Sequence, residues 1–144
     1  MESVHESAPA AKILVGVSLD ARASSQLLSW AVTVAARPND TVIALHVLVR
    51  KAEKRLKSER SSLRQAQASV ISAVGEFAGV CETKQVKLEA KVRTCSSVGE
   101  GLADEAALVE ANLLILRRSG ILLNCSVSFL SASNDSNAFF SCVE

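Results

Sequence analysis

Aromatic residues are scarce in this chain, 3% of 144 residues, with Trp30 the single tryptophan and no tyrosine at all. The formal net charge is only +1. The chain therefore offers neither platforms on which bases could stack nor a basic field to hold a phosphate backbone, and no nucleic-acid partner is expected. No apolar run is long enough to span a bilayer, so no membrane partner is expected either. The opening segment, Met1 to Ser7, carries acids and no apolar core, and it reads as neither a secretory signal nor an Arg-rich transit peptide. Cys81, Cys95, Cys125 and Cys142 are widely spaced and form no C-x-x-C pair. That excludes a zinc site and a disulfide scaffold as expectations and leaves four reduced structural thiols, suited to a cytoplasmic or nuclear chain.

A hydrophobic content of 49% is enough for the core of one domain. The chain is organised around Lys12 to Val49. Ile13-Leu14-Val15-Gly16-Val17 is short, apolar and β-branched, as in a buried strand, and it runs into the polar loop Ser18-Leu19-Asp20. Thr41 to Val49 is almost continuously apolar, the pattern of a strand covered on both faces in a parallel sheet. Between them, Ser24 or Ser25 can cap a helix whose Leu27, Ala31, Val34 and Ala35 share a face, and Arg37-Pro38-Asn39-Asp40 ends it in a turn. Strand, crossover helix and parallel strand make a right-handed unit, and ligands collect beyond the carboxyl ends of such strands. The loop from Ser18 to Ala23 is thus the first candidate for function.

Further along, the charges from Lys51 to Arg64 read as the solvated front of a long helix rather than a phosphate patch, since no glycine loop or aromatic accompanies them. Leu56, Leu63, Ala66, Val70, Val74 and Phe77 continue it as a buried stripe ending near Gly79. Val86 to Arg93 alternates apolar and charged residues, which suits an edge strand with one wet face. Ser97-Val98-Gly99-Glu100 has the form of a capping box, opening a helix with Val98, Leu102, Ala106 and Val109 on one side. Gly99 and Gly101 lack the third glycine of a dinucleotide fingerprint. Leu113 to Leu116 forms a fourth strand. Residues 1–11 are a flexible lead-in, residues 12–120 the domain, and residues 121–144 an atypical Ser/Asn-rich tail without Lys, Arg or His. In that tail Leu123, Cys125, Val127 and Phe129 alternate as one candidate strand, before a stretch from Ser131 to Asn137 that reads as loop or disorder.

Ile13 to Val17, the Asp20 loop, Ser29-Trp30-Ala31, Leu45-His46-Val47 and the fourth strand together resemble the universal stress protein family over about Lys12 to Gly120. Val15 to Asp20 and Leu28 to Ala31 are similar to the stress-protein domain found in plants ahead of a receptor-like cytoplasmic kinase domain, although no kinase motif is present here. The resemblance implies an open parallel α/β sheet, Rossmann-like, with helices on both faces, and an adenine-nucleotide site holding ATP or AMP. Val17, Ser18, Asp20, Val47 and Gly120 are its candidate residues. Val47 takes the adenine position, Gly120 is the second glycine of the phosphate loop, and the ribose-facing position falls on Ser18 or on Asp20 according to which flank is counted from. The phosphate loop departs from the family's pattern, with Arg117 at its first glycine and Leu130 at its third, leaving Gly120 and Ser131 in register. Side chains there obstruct the close approach of backbone N–H groups to phosphate, so weak affinity or none is expected. The family's fifth strand is missing or replaced, which implies low stability and a tendency to associate.

His46 reads as a hydrogen-bonded core residue rather than a proton-transfer group. No nucleophile, base and orienter can be assembled, so the expected function is a non-catalytic, stress-related regulatory or binding module, with protein partners or a kinase. Two other readings stand beside it. One is an adenine-nucleotide-binding protein with weak ATP hydrolysis, in which Arg117 and Arg118 serve as phosphate ligands. The other is the truncated N-terminal domain of a receptor-like cytoplasmic kinase, competing for that kinase's partners.

Overall fold

The turn before the second strand shows how local chemistry sets up the sheet. Asp40 is buried, and its carboxylate accepts the Ala11 N–H at 2.8 Å and the Arg37 N–H at 2.9 Å while Asn39 takes a positive φ of 78°. Those bonds bring the start of the first strand beside the start of the second. In this computed structural model, which describes residues 10–50, 56–118, 121–130 and 137–143, the strands are β1 (Lys12–Gly16), β2 (Thr41–Val49), β3 (Lys87–Cys95), β4 (Leu113–Arg118), β5 (Ile121–Leu130) and β6 (Asn137–Val143). The helices are α1 (Ala21–Trp30), α2 (Leu56–Gly75), α3 (Ala78–Lys84) and α4 (Val98–Val109). The sheet order is β3-β2-β1-β4-β5-β6. The first four strands are parallel, as expected for this α/β class.

Alternate residues of the central strands face opposite layers. Ile13, Val15, Val42, Ala44 and Ile115 pack with Leu27 and Leu28 of α1, Val70 of α2 and Cys81 of α3. Leu14, Ile43, Leu45, Val47 and Leu114 pack with Leu102 and Ala106 of α4. Each fully buried side chain of this size contributes roughly 1.5–3 kcal/mol, so the two layers carry the stability of the domain.

Several expectations are corrected. The cap of α1 is Asp20, not Ser24 or Ser25: its Oδ1 accepts the Arg22 and Ala23 N–H groups at 3.0 and 3.3 Å. After Trp30 the chain makes a π-helical turn, Ala31–Ala35, closed by the Ala36 N–H on the Ala31 carbonyl at 2.8 Å. The wider turn rotates the apolar face, so Val32 is buried and Val34 is 63% exposed, where a 3.6-residue period assigned Val34 to the core. Lys84 Nζ donates to the Val32 and Thr33 carbonyls at 2.6 and 3.1 Å, satisfying the end of this turn. The long second helix breaks after Gly75, and α3 completes the crossover; residues 51–55, where the charged front begins, lie outside the described residues.

The sheet does not stop at β4. β5 pairs antiparallel with β4 and β6 antiparallel with β5, so the family's fifth strand is replaced by a hairpin and the sheet as a whole is mixed rather than parallel throughout. This also changes the cysteine assignment. Cys81 and Cys95 are free, but Cys125 is disulfide-bonded, with Cys142 opposite it in the register. Sequence spacing hid that proximity, because only the antiparallel register brings the two positions together. Burial raises the Cys81 thiol above its ordinary range, and nearby Lys84 lowers it in part.

Candidate functional site

Strand order reverses between β1 and β4, and beyond the carboxyl ends of these strands lies a cleft of about 390 Å³. That is the switch-point position at which open α/β sheets bind ligands. Its walls come from β1 and its loop (Gly16, Val17, Ser18), from β2 (Leu45, His46, Val47), from α4 (Val98, Leu102) and from β4 (Leu116, Arg117). Ala23 and Leu27 of α1 complete the lining. Of the sequence-derived candidates, Val17, Ser18 and Val47 come together here. Asp20 is not in the lining, and its carboxylate is committed to the helix cap. Gly120 lies outside the described residues.

The loop from Ser18 to Ser24 is held by its own polar groups. Ser24 is buried; its hydroxyl donates to the Ser18 carbonyl at 2.8 Å and accepts the Ser18 N–H at 3.2 Å. Ser18 Oγ in turn accepts the Asp20 N–H at 3.2 Å. His46 Nδ1 lies 3.0 Å from the Val17 carbonyl. A carbonyl can only accept, so Nδ1 carries the hydrogen, and His46 ties β2 to the end of β1.

Close approach of α4 to β2 forms the floor. A Cβ on Gly101 would lie 2.6 and 2.8 Å from the two methyls of Val47, and one on Gly16 would lie 3.2 Å from Leu102. Gly101 therefore serves helix–sheet contact, not a dinucleotide fingerprint. Val47 is β-branched and has little rotamer freedom to retreat. With contacts this short, Gly101→Ala is expected to cost about 2–3 kcal/mol by overpacking, exceeding the ~1 kcal/mol that alanine adds to helix propensity. Urea denaturation checks it, with Val47→Ala in the same chain expected to recover most of the loss; a single variant as stable as the parent would refute the close approach.

The first turn of α4 agrees only in part with a capping box. Ser97 Oγ accepts the Glu100 N–H at 3.2 Å, but the Glu100 carboxylate accepts from Ser96 Oγ at 2.6 Å. Glu105, which sequence reading passed over, is buried in α4 and held between Lys91 Nζ at 2.9 Å and Arg93 Nη1 at 2.6 Å. The charged side of β3 is thus partly covered by α4 rather than wet. A lone acid three residues after Leu102 on the apolar stripe was the available signal. Gln26 was also missed: its Oε1 accepts from Arg117 Nη2 at 2.8 Å, joining α1 to the end of β4. Among the described residues one group of donor atoms, from Cys95, Glu100 and Asp104, lies within 4.8 Å, but both carboxylates are exposed and such groups are common without an ion.

Where a phosphate loop would follow β4, residues 121–130 form strand β5, with Leu122 opposite Arg117. The cleft is mostly apolar, and Arg117 is the one charged residue in its lining among the described residues.

Fold and cleft define an open α/β domain with a candidate cleft at its switch point. A model of the universal stress protein family matches residues 10–130, and the chain belongs to that family. A probable receptor-like serine/threonine-protein kinase of Arabidopsis thaliana is 49% identical over 110 residues, 74% of this chain, and the match spans 19% of the kinase's length. Two solved structures share the fold. A universal stress protein family protein from Arabidopsis thaliana with AMP bound has a TM-score of 0.50 at 16% identity, covering 77% of this chain and 78% of that one. A family protein from Burkholderia pseudomallei has a TM-score of 0.52 at 14% identity, covering 78% and 84%.

Proposed function

We propose that this chain is a non-catalytic, stress-related regulatory or binding module whose cleft holds an adenine nucleotide weakly. The observation that carries the reading is an apolar cleft at the switch point, with strand β5 in the segment where a phosphate loop would lie. Family membership and the AMP-bound structural neighbour support the ligand class. The cleft lining includes one histidine and one serine, and the His46 Nδ1 hydrogen is directed to the Val17 carbonyl rather than to a nucleophile. The kinase relative favours a protein partner, a receptor-like kinase first.

Each backbone N–H on a charged oxygen is worth roughly 1.5–3 kcal/mol. Without two or three of them, ATP is expected to bind with a dissociation constant on the order of 100 µM or weaker. Titration calorimetry with ATP checks this. Micromolar ATP binding that falls sharply in Asp20→Ala would overturn it, because it would require a complete phosphate site and a ribose contact from Asp20.

A further inference from the structure

We infer that Arg117, positioned by Gln26, is the residue that determines ligand specificity in this cleft, selecting a nucleoside bearing one phosphate group over the bare nucleoside, with little gain from a second or third phosphate. The inference rests on the adenine-nucleotide reading and adds to it. Arg117 lines the cleft beside Leu116, and the rest of that lining is apolar apart from Ser18 and His46. A guanidinium has five N–H donors in a planar fork. One of them, on Nη2, goes to the neutral Gln26 Oε1, and Arg117 forms no ion pair among the described residues. Among the described residues no carboxylate pairs with it and Gln26 is its one hydrogen-bond partner, which leaves the remaining donors for a ligand.

The Gln26 bond links side chains 91 residues apart and holds the guanidinium between α1 and β4. That restraint lowers the ordering cost an arginine otherwise meets on binding. A phosphate at the mouth can accept from two of the fork's donors at once, which a lysine cannot match. Among the described residues of the lining Arg117 is the one cation, and phosphates beyond the first are proposed to extend toward solvent, where charge attraction is screened. This is a different device from a glycine loop, in which successive backbone N–H groups follow a phosphate chain.

Calorimetry on the full chain with adenosine, AMP, ADP and ATP tests it. AMP is expected to bind about tenfold or more tightly than adenosine, and ADP and ATP within about threefold of AMP. Arg117→Ala should reduce AMP to the adenosine level without changing adenosine, and Arg117→Lys should recover part of the difference. Gln26→Glu should weaken AMP by pairing with the guanidinium, again sparing adenosine and the melting temperature, a pattern that a merely structural Gln26 would not produce. If AMP and adenosine bind equally to the parent, if their difference survives Arg117→Ala, or if ATP exceeds AMP by about tenfold, the inference fails while the adenine reading stands. If adenosine and all three nucleotides fail to bind the folded parent, the adenine reading fails, and the inference with it.

Discussion

Deletion from Ile121 onward is expected to leave a chain that no longer folds as a soluble monomer. β4 is an interior strand, with Leu114 and Ile115 at 1% and 0% exposure, and β5 pairs with it from Leu113↔Ser126 to Arg118↔Ile121. Removing β5 strips the ladder from one side of β4, at about 0.5–1.5 kcal/mol net for each lost hydrogen bond. It also removes Cys125, which is fully buried against the α4 layer. A loss of several kcal/mol is a large part of the 5–15 kcal/mol that holds a typical domain. The exposed edge would be apolar and unpaired, the combination that recruits other chains. Size-exclusion chromatography and thermal melting check this. A shortened protein that is monomeric and melts no earlier than the parent would show that β5 contributes nothing to the fold.

The second large effect is expected at Glu105. Its side chain is 5% exposed, whereas Lys91 and Arg93 are 37% and 32% exposed. The two sides of the cluster are therefore unequal. Replacing both cations by alanine leaves a buried carboxylate without a counter-charge, which should cost on the order of 3–5 kcal/mol. Replacing Glu105 by leucine leaves two partly exposed cations that can turn to water, and should cost no more than about 2 kcal/mol. Adding Glu105→Leu to the double alanine variant should restore most of the lost stability. Urea denaturation of the variants separates these cases, and a double alanine variant within about 0.5 kcal/mol of the parent would refute the asymmetry.

The parallel centre of the fold was legible because buried parallel strands are written as continuous apolar runs, as in Ile13 to Val17 and Thr41 to Val49. The edge position of β3 was legible from its alternation, and the family's pattern pointed to Val17, Ser18 and Val47, which the fold brings to one cleft. Other features depended on information that periodicity does not hold. The π-helical turn changes the period itself, so Val34 was assigned to the wrong side. Asp20 and Ser24 are both good caps by type, and only the length of the Ser18 loop decides between them. The hairpin of β5 and β6 was obscured because serine and asparagine mimic loop composition even where the backbone is paired. The bond from Arg117 to Gln26 spans most of the domain and has no local signature at all.

Strand order carries a consequence for the way the chain reaches this state. β1 is formed by the first described residues, yet Ile13, Leu14 and Val15 meet their β4 partners only at Leu113, Leu114 and Ile115. β2 and β3 can join β1 through local crossovers, and β5 and β6 can join β4 through short connections. The sheet is therefore two locally encoded halves meeting along one long-range seam, and closing that seam requires the loop entropy of almost the whole domain. During synthesis the β1 edge stays open until residues 113–118 emerge. Pairing of this sequence separation is the kind of contact that slows folding, and until it forms β1 presents an apolar, unpaired edge.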